Sequence, residues 1–459
     1  MNRDDLAFAG LARHADLIAT GELSSRELVQ LFLSRIERLD PLLNAFRVVL
    51  GEKALAQADQ ADGRRRAGDT RPLLGVPIAI KDDIHVAGEV TAYGCDSDPP
   101  RQPADSEVVR RLRAAGAVII GKTNVPELMA TAFTESPTFG VTRNPWDVHR
   151  TSGGSSGGSA TAVAAGLVSA AIGTDGAGSI RIPAACCGLF GLKTQRGRIS
   201  TAPDVDPHRG MTVFGPLTRT VADAARFTDA VKDGGPSLTE AAATPPGRLR
   251  IAISVGLPPI GVSPDAEQLS GVHSTAALLR DLGHDVVERE FDWGIALGNR
   301  VLTRYARGLG DKAQEIGHRD RFSRRARGIA RIGAAIPSRL ADAAGAQSAA
   351  DAERLNRIFE ESDVVLTPMF TRRPLRVREY DGRGGLWTLA GNARFAPYAG
   401  VFNHTGQPAA AVPAGFTGDG FPLSVQLVGP PDAEARLVSL AAQLEQARDW
   451  ASHRPAVAA

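Results

Sequence analysis

Apolar positions along this chain fall into two recurring patterns. Between residues 24 and 40, Leu28, Leu31, Phe32, Ile36 and Leu39 recur at helical spacing, and Ser24 with Glu27 makes a capping-box start. Elsewhere, short β-rich apolar runs predict strands at 76–80, 117–120, 250–254, 363–367 and 424–428. Helical patterns lie between them, as at 105–115 and 263–282. This alternation predicts an α/β architecture, and no internal repeat interrupts it. Residues 159–173 are apolar but built from small residues, many of them alanine, glycine and serine. They read as a buried helix that other backbone approaches closely, with Ser159 as its N-cap. Residues 233–247, rich in Gly, Pro, Ala and Thr, read as a connection. Residues 295–360 read as helical and arginine-rich. Within them Arg319, Arg321, Arg324, Arg325, Arg327 and Arg331 read as a solvated face, with a lid or rim over a pocket as the sharper alternative.

Composition narrows the class without naming the chemistry. The 459 residues are 43% hydrophobic and 23% charged, an ordinary soluble globular mix. Fifty-three basic residues against 51 acidic ones leave a net charge of +2, so no nucleic acid or anionic membrane partner is expected. The three cysteines, Cys95, Cys186 and Cys187, show neither a disulfide framework nor zinc-ligand spacing. They suit a reducing compartment. Asp4 and Asp5 stand where a secretory signal would carry positive charge. No 18-residue apolar span runs without charges or breaks, so a cytoplasmic protein is expected.

Two motifs mislead. Gly116–Thr123 (GAVIIGKT) has P-loop spacing, but its middle residues look like the strand itself, whereas a P-loop needs a flexible phosphate-cradling loop. The pattern Gly-x-Ser-x-Gly occurs around both Ser155 and Ser156. A nucleophile elbow needs a buried strand just before it, and residues 142–152 are polar and broken by proline. A histidine-dependent esterase, with His404 the first histidine to test, is therefore the alternative rather than the first reading.

The stretch from Thr151 to Lys193 carries the stronger signal. Two glycine-rich knots, 153–158 and 176–179, flank the small-residue segment, and each offers a serine on backbone that can bend sharply. Alone, the first knot reads as a linker, yet it runs into a segment that must be buried. Upstream, Lys81 ends the apolar run Val76–Ile80. Alone it reads as the solvated end of a strand, the more so with Asp82 and Asp83 beside it. Together, two serines and a lysine without histidine suggest a serine hydrolase whose base is an amine.

From Ser24 to about Leu444 the chain resembles the amidase signature family. The glycine/serine block at 151–193 carries the resemblance, with GVPIAIKDDIHVAG at 75–88, GKTNVPELMA at 121–130 and NHTGQPAAAVPAG at 403–415. The resemblance implies one large α/β domain over 1–459, a central mixed twisted sheet flanked by helices. It divides into an N-terminal helical region at 1–70, a catalytic core at 71–232 and 363–450, and a variable helical substrate region at about 233–362. It implies a triad: Ser179 as nucleophile, Ser155 as bridging serine, held through a cis Gly154–Ser155 peptide, and Lys81 as base. Ser156 competes for the bridging role. Backbone N–H groups of Gly176, Ala177, Gly178 and Ser179 should form the oxyanion hole, braced by Thr174, Asp175 and Arg181. Where the family commonly has Thr-Asp-Thr-Gly-Gly-Ser, this chain has Thr174-Asp175-Gly176-Ala177-Gly178-Ser179, so the pocket near the acyl group is expected to differ.

Such a triad makes physical sense. Ser179 must lose its proton as it attacks a carbonyl carbon. Lys81 accepts it only when neutral, so burial must bring its pKa down toward neutrality at a cost of about 3–4 kcal/mol. Ser155 relays the proton and later returns it to the leaving amine. No metal or organic cofactor is required. The expected substrate is a small-molecule amide or carbamate, because the chain is also similar to bacterial aryl amidases and urethanases. Met129, Phe133 and residues within 295–400 are candidate pocket walls. An amidotransferase-type subunit delivering ammonia to a partner is a further alternative, and a homodimer is left open.

Overall fold

Strands form where the sequence places its β-rich apolar runs, and also where it gives no such sign. The structure, a computed structural model, describes residues 2–256, 258 and 262–458. Its main sheet contains β1 (Phe46–Val49), β2 (Pro77–Lys81), β3 (Val118–Thr123), β4 (Ala170–Asp175), β5 (Phe190–Lys193), β6 (Val213–Thr218), β7 (Arg250–Ile253), β8 (Asp285–Glu288), β9 (Val364–Pro368), β10 (Ala409–Phe416) and β11 (Pro422–Val428). The eleven strands lie in the order β1-β3-β2-β4-β6-β5-β10-β11-β9-β7-β8. β3, β2 and β4 run parallel, as do β9, β7 and β8, and the other neighbours pair antiparallel. The five expected strands are β2, β3, β7, β9 and β11.

β2, β3, β4, β6, β9 and β11 are buried along their whole lengths. Strands covered on both faces read as continuous apolar runs rather than alternating ones. One apolar cluster packs Leu28 and Phe32, from the capped helix Ser25–Leu43, with Ile78, Ile119 and Ile172. A second packs Val272 and Leu279 of helix Ala266–Asp281 with Val364, Leu366, Val425 and Leu427. Each fully buried aliphatic side chain contributes about 1.5–3 kcal/mol relative to exposure.

Several expectations need correction. Residues 159–173 are not one helix: the helix Gly157–Ala164 ends early, and the same small-residue run then enters β4. Ser159 lies inside that helix and Ser156 stands at its N-cap position. The Ser159 hydroxyl instead meets Thr123 Oγ1 (2.7 Å) and Ile172 O (3.2 Å), tying the helix to two strands. The region 233–362 is helical over most of its length but also supplies β7 and β8 to the sheet. The region 1–70 likewise supplies β1. Gly121, Lys122 and Thr123, which mimic a P-loop, belong to β3 itself. Residues 143–151 form a small two-stranded ribbon outside the main sheet. Among the described residues, no helix is long and apolar enough to cross a membrane.

Candidate active site

The parallel strands β2 and β4 are neighbours, third and fourth in the sheet, and their carboxyl ends deliver the site. This is where ligands bind in open α/β sheets, because chain reversals there leave a crevice. Lys81 closes β2 and Thr174 and Asp175 close β4. The turn 176–180 follows at once and carries Ser179. The first glycine knot crosses the same end of the sheet. A Cβ on Gly154 would stand 2.3 Å from Thr131 O, so only glycine permits this approach. The Gly154–Ser155 peptide is cis.

Lys81 is fully buried rather than solvated. Its Nζ donates to Ser155 Oγ (2.7 Å) and Thr174 Oγ1 (2.5 Å), and lies 3.2 Å from Asp83 Oδ2. The Thr174 hydroxyl donates onward to Asp83 Oδ2 at 2.6 Å. Burial lowers the Lys81 pKa below the ordinary lysine value, and the charges of Asp83 and Asp175 oppose this without cancelling it. Thr174 therefore holds the amine, a different task from bracing the turn. Asp82 is buried as well, 2.9 Å from Lys122 and 2.5 Å from Arg47. The solvated strand end suggested by Lys81 and its acidic neighbours is overturned by these pairings.

Ser155 and Ser179 line one cavity together. Among the described residues the Ser179 hydroxyl has no hydrogen-bond partner, as befits a group awaiting substrate. Ser156 does not compete: its N–H donates to Ser179 O (3.2 Å) and its hydroxyl to Thr174 O (3.3 Å). Asp175 and Arg181 form a buried bidentate pair, with both contacts at 3.0 Å. Burial alone would raise the Asp175 pKa, but the Arg181 charge and hydrogen bonds outweigh it and hold the carboxylate ionised. That carboxylate accepts from Gly178 N (2.6 Å) and Ile180 N (3.2 Å), so it shapes the turn from within.

This corrects the expected oxyanion hole. The Gly178 N–H is committed to Asp175, whereas the backbone N–H groups of Gly176, Ala177 and Ser179 have no partner among the described residues. Gly178 itself has φ +114°, and a Cβ there would strike Ala399 at 2.6 Å.

Two cavities meet at Ser179. One, with about 770 Å³ of empty space, is lined by Ala177, Ile182, Val301, Leu302, Leu389 and Ala393, among others. The other, about 450 Å³, carries charged and polar side chains and is lined by Asp83, Met129, Thr174, Asp204, His208 and Lys312, among others. Met129 therefore borders the site. Phe133 does not: it is buried, stacked on Tyr380 (5.5 Å) and covered by the Arg325 guanidinium (4.9 Å). Arg325 apart, the arginine-rich segment stays near the surface, where Arg319, Arg324, Arg327 and Arg331 line an open cleft.

His404 lines neither cavity. Its Nε2 meets Asp351 Oδ2 and its Nδ1 meets Arg304 Nη1, both at 3.0 Å, so both nitrogens are occupied. Burial lowers its pKa to about 4. A serine–histidine arrangement there has no geometric support. His208 does border Ser155 and Ser179, with its Nδ1 3.2 Å from Thr212 Oγ1, and burial lowers its pKa to about 4. Among the described residues, no group of three or more His, Cys, Asp or Glu is placed to hold a metal ion.

Sequence reasoning missed His208, Asp83 and Asn403. Asp83 was visible as an acid two residues after Lys81. Asn403, whose Nδ2 donates to Asp175 O (2.6 Å) and whose Oδ1 accepts from Arg181 (2.7 Å), was visible only as part of the tail motif. Nothing in the sequence singled out His208.

A mixed sheet whose strand ends gather a buried amine and two serines is an architecture suited to an amide hydrolase. The chain belongs to the amidase family, whose model matches residues 27–438. It is 52% identical to a Mycobacterium tuberculosis protein named as an amidase, AmiB2, over the full length of both chains. It is 33% identical to the 6-aminohexanoate-cyclic-dimer hydrolase of Paenarthrobacter ureafaciens, covering 96% of this chain and 95% of that one. A solved structure of 6-aminohexanoate cyclic dimer hydrolase superposes with a TM-score of 0.88 at 30% identity, covering 98% and 99% of the two chains. The peptide amidase of Stenotrophomonas maltophilia does so with a TM-score of 0.81 at 26% identity, covering 97% and 98%.

Proposed function

We propose that this amidase cleaves amides, and carbamates of similar shape, through an acyl-enzyme on Ser179 with Ser155 and Lys81 as proton relay. One observation carries the reading: a fully buried Lys81 amine stands 2.7 Å from Ser155 Oγ, and Ser155 shares a cavity with Ser179. Ser179 Oγ attacks the carbonyl carbon, its proton passes to Ser155, and the Ser155 proton passes to neutral Lys81. Negative charge gathers on the carbonyl oxygen, where Gly176, Ala177 and Ser179 N–H groups face it. One such donor is typically worth about 3–4 kcal/mol of barrier. As the C–N bond breaks, Ser155 protonates the nitrogen and regains a proton from Lys81. Water then attacks the ester by the same relay, frees the acid and restores Ser179.

The test is a panel of aliphatic amides, anilides, aryl carbamates and esters, assayed with wild type and Ser179→Ala. Amides and carbamates should turn over in wild type, and none should in the variant. Loss of all turnover in His404→Ala, with Lys81→Ala still active, would reject the relay. A chelator should leave the rate unchanged, since the relay uses an amine as its base. Inhibition by chelator that zinc reverses would contradict it.

A further inference from the structure

The two cavities at Ser179 differ in character, and the relay faces only one of them. Ser155, Thr174 and Asp83 line the polar cavity, and none of them lines the apolar one. A general acid must stand within about 2.6–3.2 Å of the atom it protonates. The scissile nitrogen therefore lies on the Ser155 side, and its substituents project into the polar cavity. The acyl group projects the opposite way, past Ala177 into the larger cavity.

That larger cavity offers an acyl group little to hydrogen-bond. No charged side chain lines it among the described residues. Thr131 Oγ1 donates to Phe133 O (2.6 Å), and Tyr305 OH donates to Ala130 O (3.2 Å). Asn392 donates to Ala130 O (3.1 Å) and accepts from Ala132 N (3.3 Å). Its polar side chains other than Ser179 are thus paired with the protein already, and a charged acyl group would lose water there without compensation.

The apolar lining also continues outward. Helix Gly385–Phe395 presents Leu389 and Ala393 to the cavity. Leu386 stands three residues before the first and seven before the second, so it shares their face one turn further out. It is 70% exposed, and Leu302, on the facing helix Leu297–Ile316, is 36% exposed. Large exposed apolar side chains in line with an apolar cavity mark a binding surface more readily than isolated ones do.

Resting on the reading above, we propose that the preferred substrate joins an elongated, uncharged, apolar acyl group to a small amine. The acyl chain fills the larger cavity and runs out along Leu302 and Leu386, and the amine occupies the narrower polar cavity beside Asp204, His208 and Lys312.

Two substrate series with the full chain test this. In the first, straight-chain primary amides lengthen from propanamide to octanamide; kcat/KM should rise by up to about fourfold per methylene. In the second, octanamides carry ammonia, methylamine, butylamine or cyclohexylamine, of which the three alkylamines have similar basicity but different size. Here kcat/KM should fall at least about tenfold from methylamine to cyclohexylamine. Leu386→Asp, at an exposed position that should tolerate it, should lower the octanamide-to-propanamide ratio of kcat/KM about fivefold or more. A flat length series, an unchanged ratio in Leu386→Asp, or bulky amines accepted as readily as methylamine would overturn this inference while leaving the amidase reading intact. Turnover of no amide at all would overturn both.

Discussion

At the scale of single residues, the relay proposed above makes reactivity depend on the state of one amine. Lys81 is buried deeply enough that its pKa falls, even with Asp83 3.2 Å away. The relay needs the neutral form, so kcat/KM should rise from neutral toward alkaline pH as Lys81 loses its proton. The midpoint should lie below the value near 10.4 of a free lysine. A pH–rate profile checks this, and an optimum near pH 5 would contradict it. Lys81→Ala and Ser155→Ala should each cut kcat on the order of a thousandfold or more, because residues that act as one relay fail together. Ser156→Ala should keep the pH profile of the wild type, since its hydroxyl serves Thr174 O rather than Lys81.

Elements of the fold divide into those whose residues announce them and those whose residues do not. β2, β3, β7, β9 and β11 were legible because branched aliphatic residues cluster in short runs. The helix Ser25–Leu43 was legible from its capping box, and both of its reciprocal bonds are present. β4 was not legible. Ala170, Ala171 and Gly173 carry too little side chain to show a period, and the strand owes its place to β2 and β6 on either side. The expected triad positions come from the family's motif, whereas the bond from Gly178 N–H to Asp175 was not legible. That depends on where the Asp175 carboxylate turns, a matter of tertiary geometry. The 176–180 turn should therefore fail as a unit. Asp175→Ala leaves Arg181 buried without its partner and should destabilise the protein by about 3–5 kcal/mol. Thermal unfolding of the variant measures this, and a Tm equal to wild type would show that Asn403 and Gln426, whose side-chain oxygens accept from the Arg181 guanidinium at 2.7 and 2.6 Å, suffice to hold it.

Across the whole molecule, no single segment owns the site. β2 gives the Lys81 amine, the first glycine knot the Ser155 hydroxyl and the turn after β4 the Ser179 hydroxyl. Helices Leu297–Ile316 and Gly385–Phe395 supply walls from the far end of the chain. The sequence placed candidate walls within 295–400 but singled out neither Leu302 nor Leu389, which look like any other leucine until the fold brings them to one cavity. The polar cavity shares Asp204, Pro207, His208 and Lys312 with a surface cleft, while the apolar one does not. On the substrate placement proposed above, the two halves of a cut molecule would then have separate doors. Once the amine departs, its berth is vacant while the ester on Ser179 stays shielded on its oily side, and whatever small nucleophile comes through the vacated door competes with water. Hydroxylamine added to the reaction should then yield hydroxamate, seen by its coloured iron complex, where cyclohexylamine should yield no new amide.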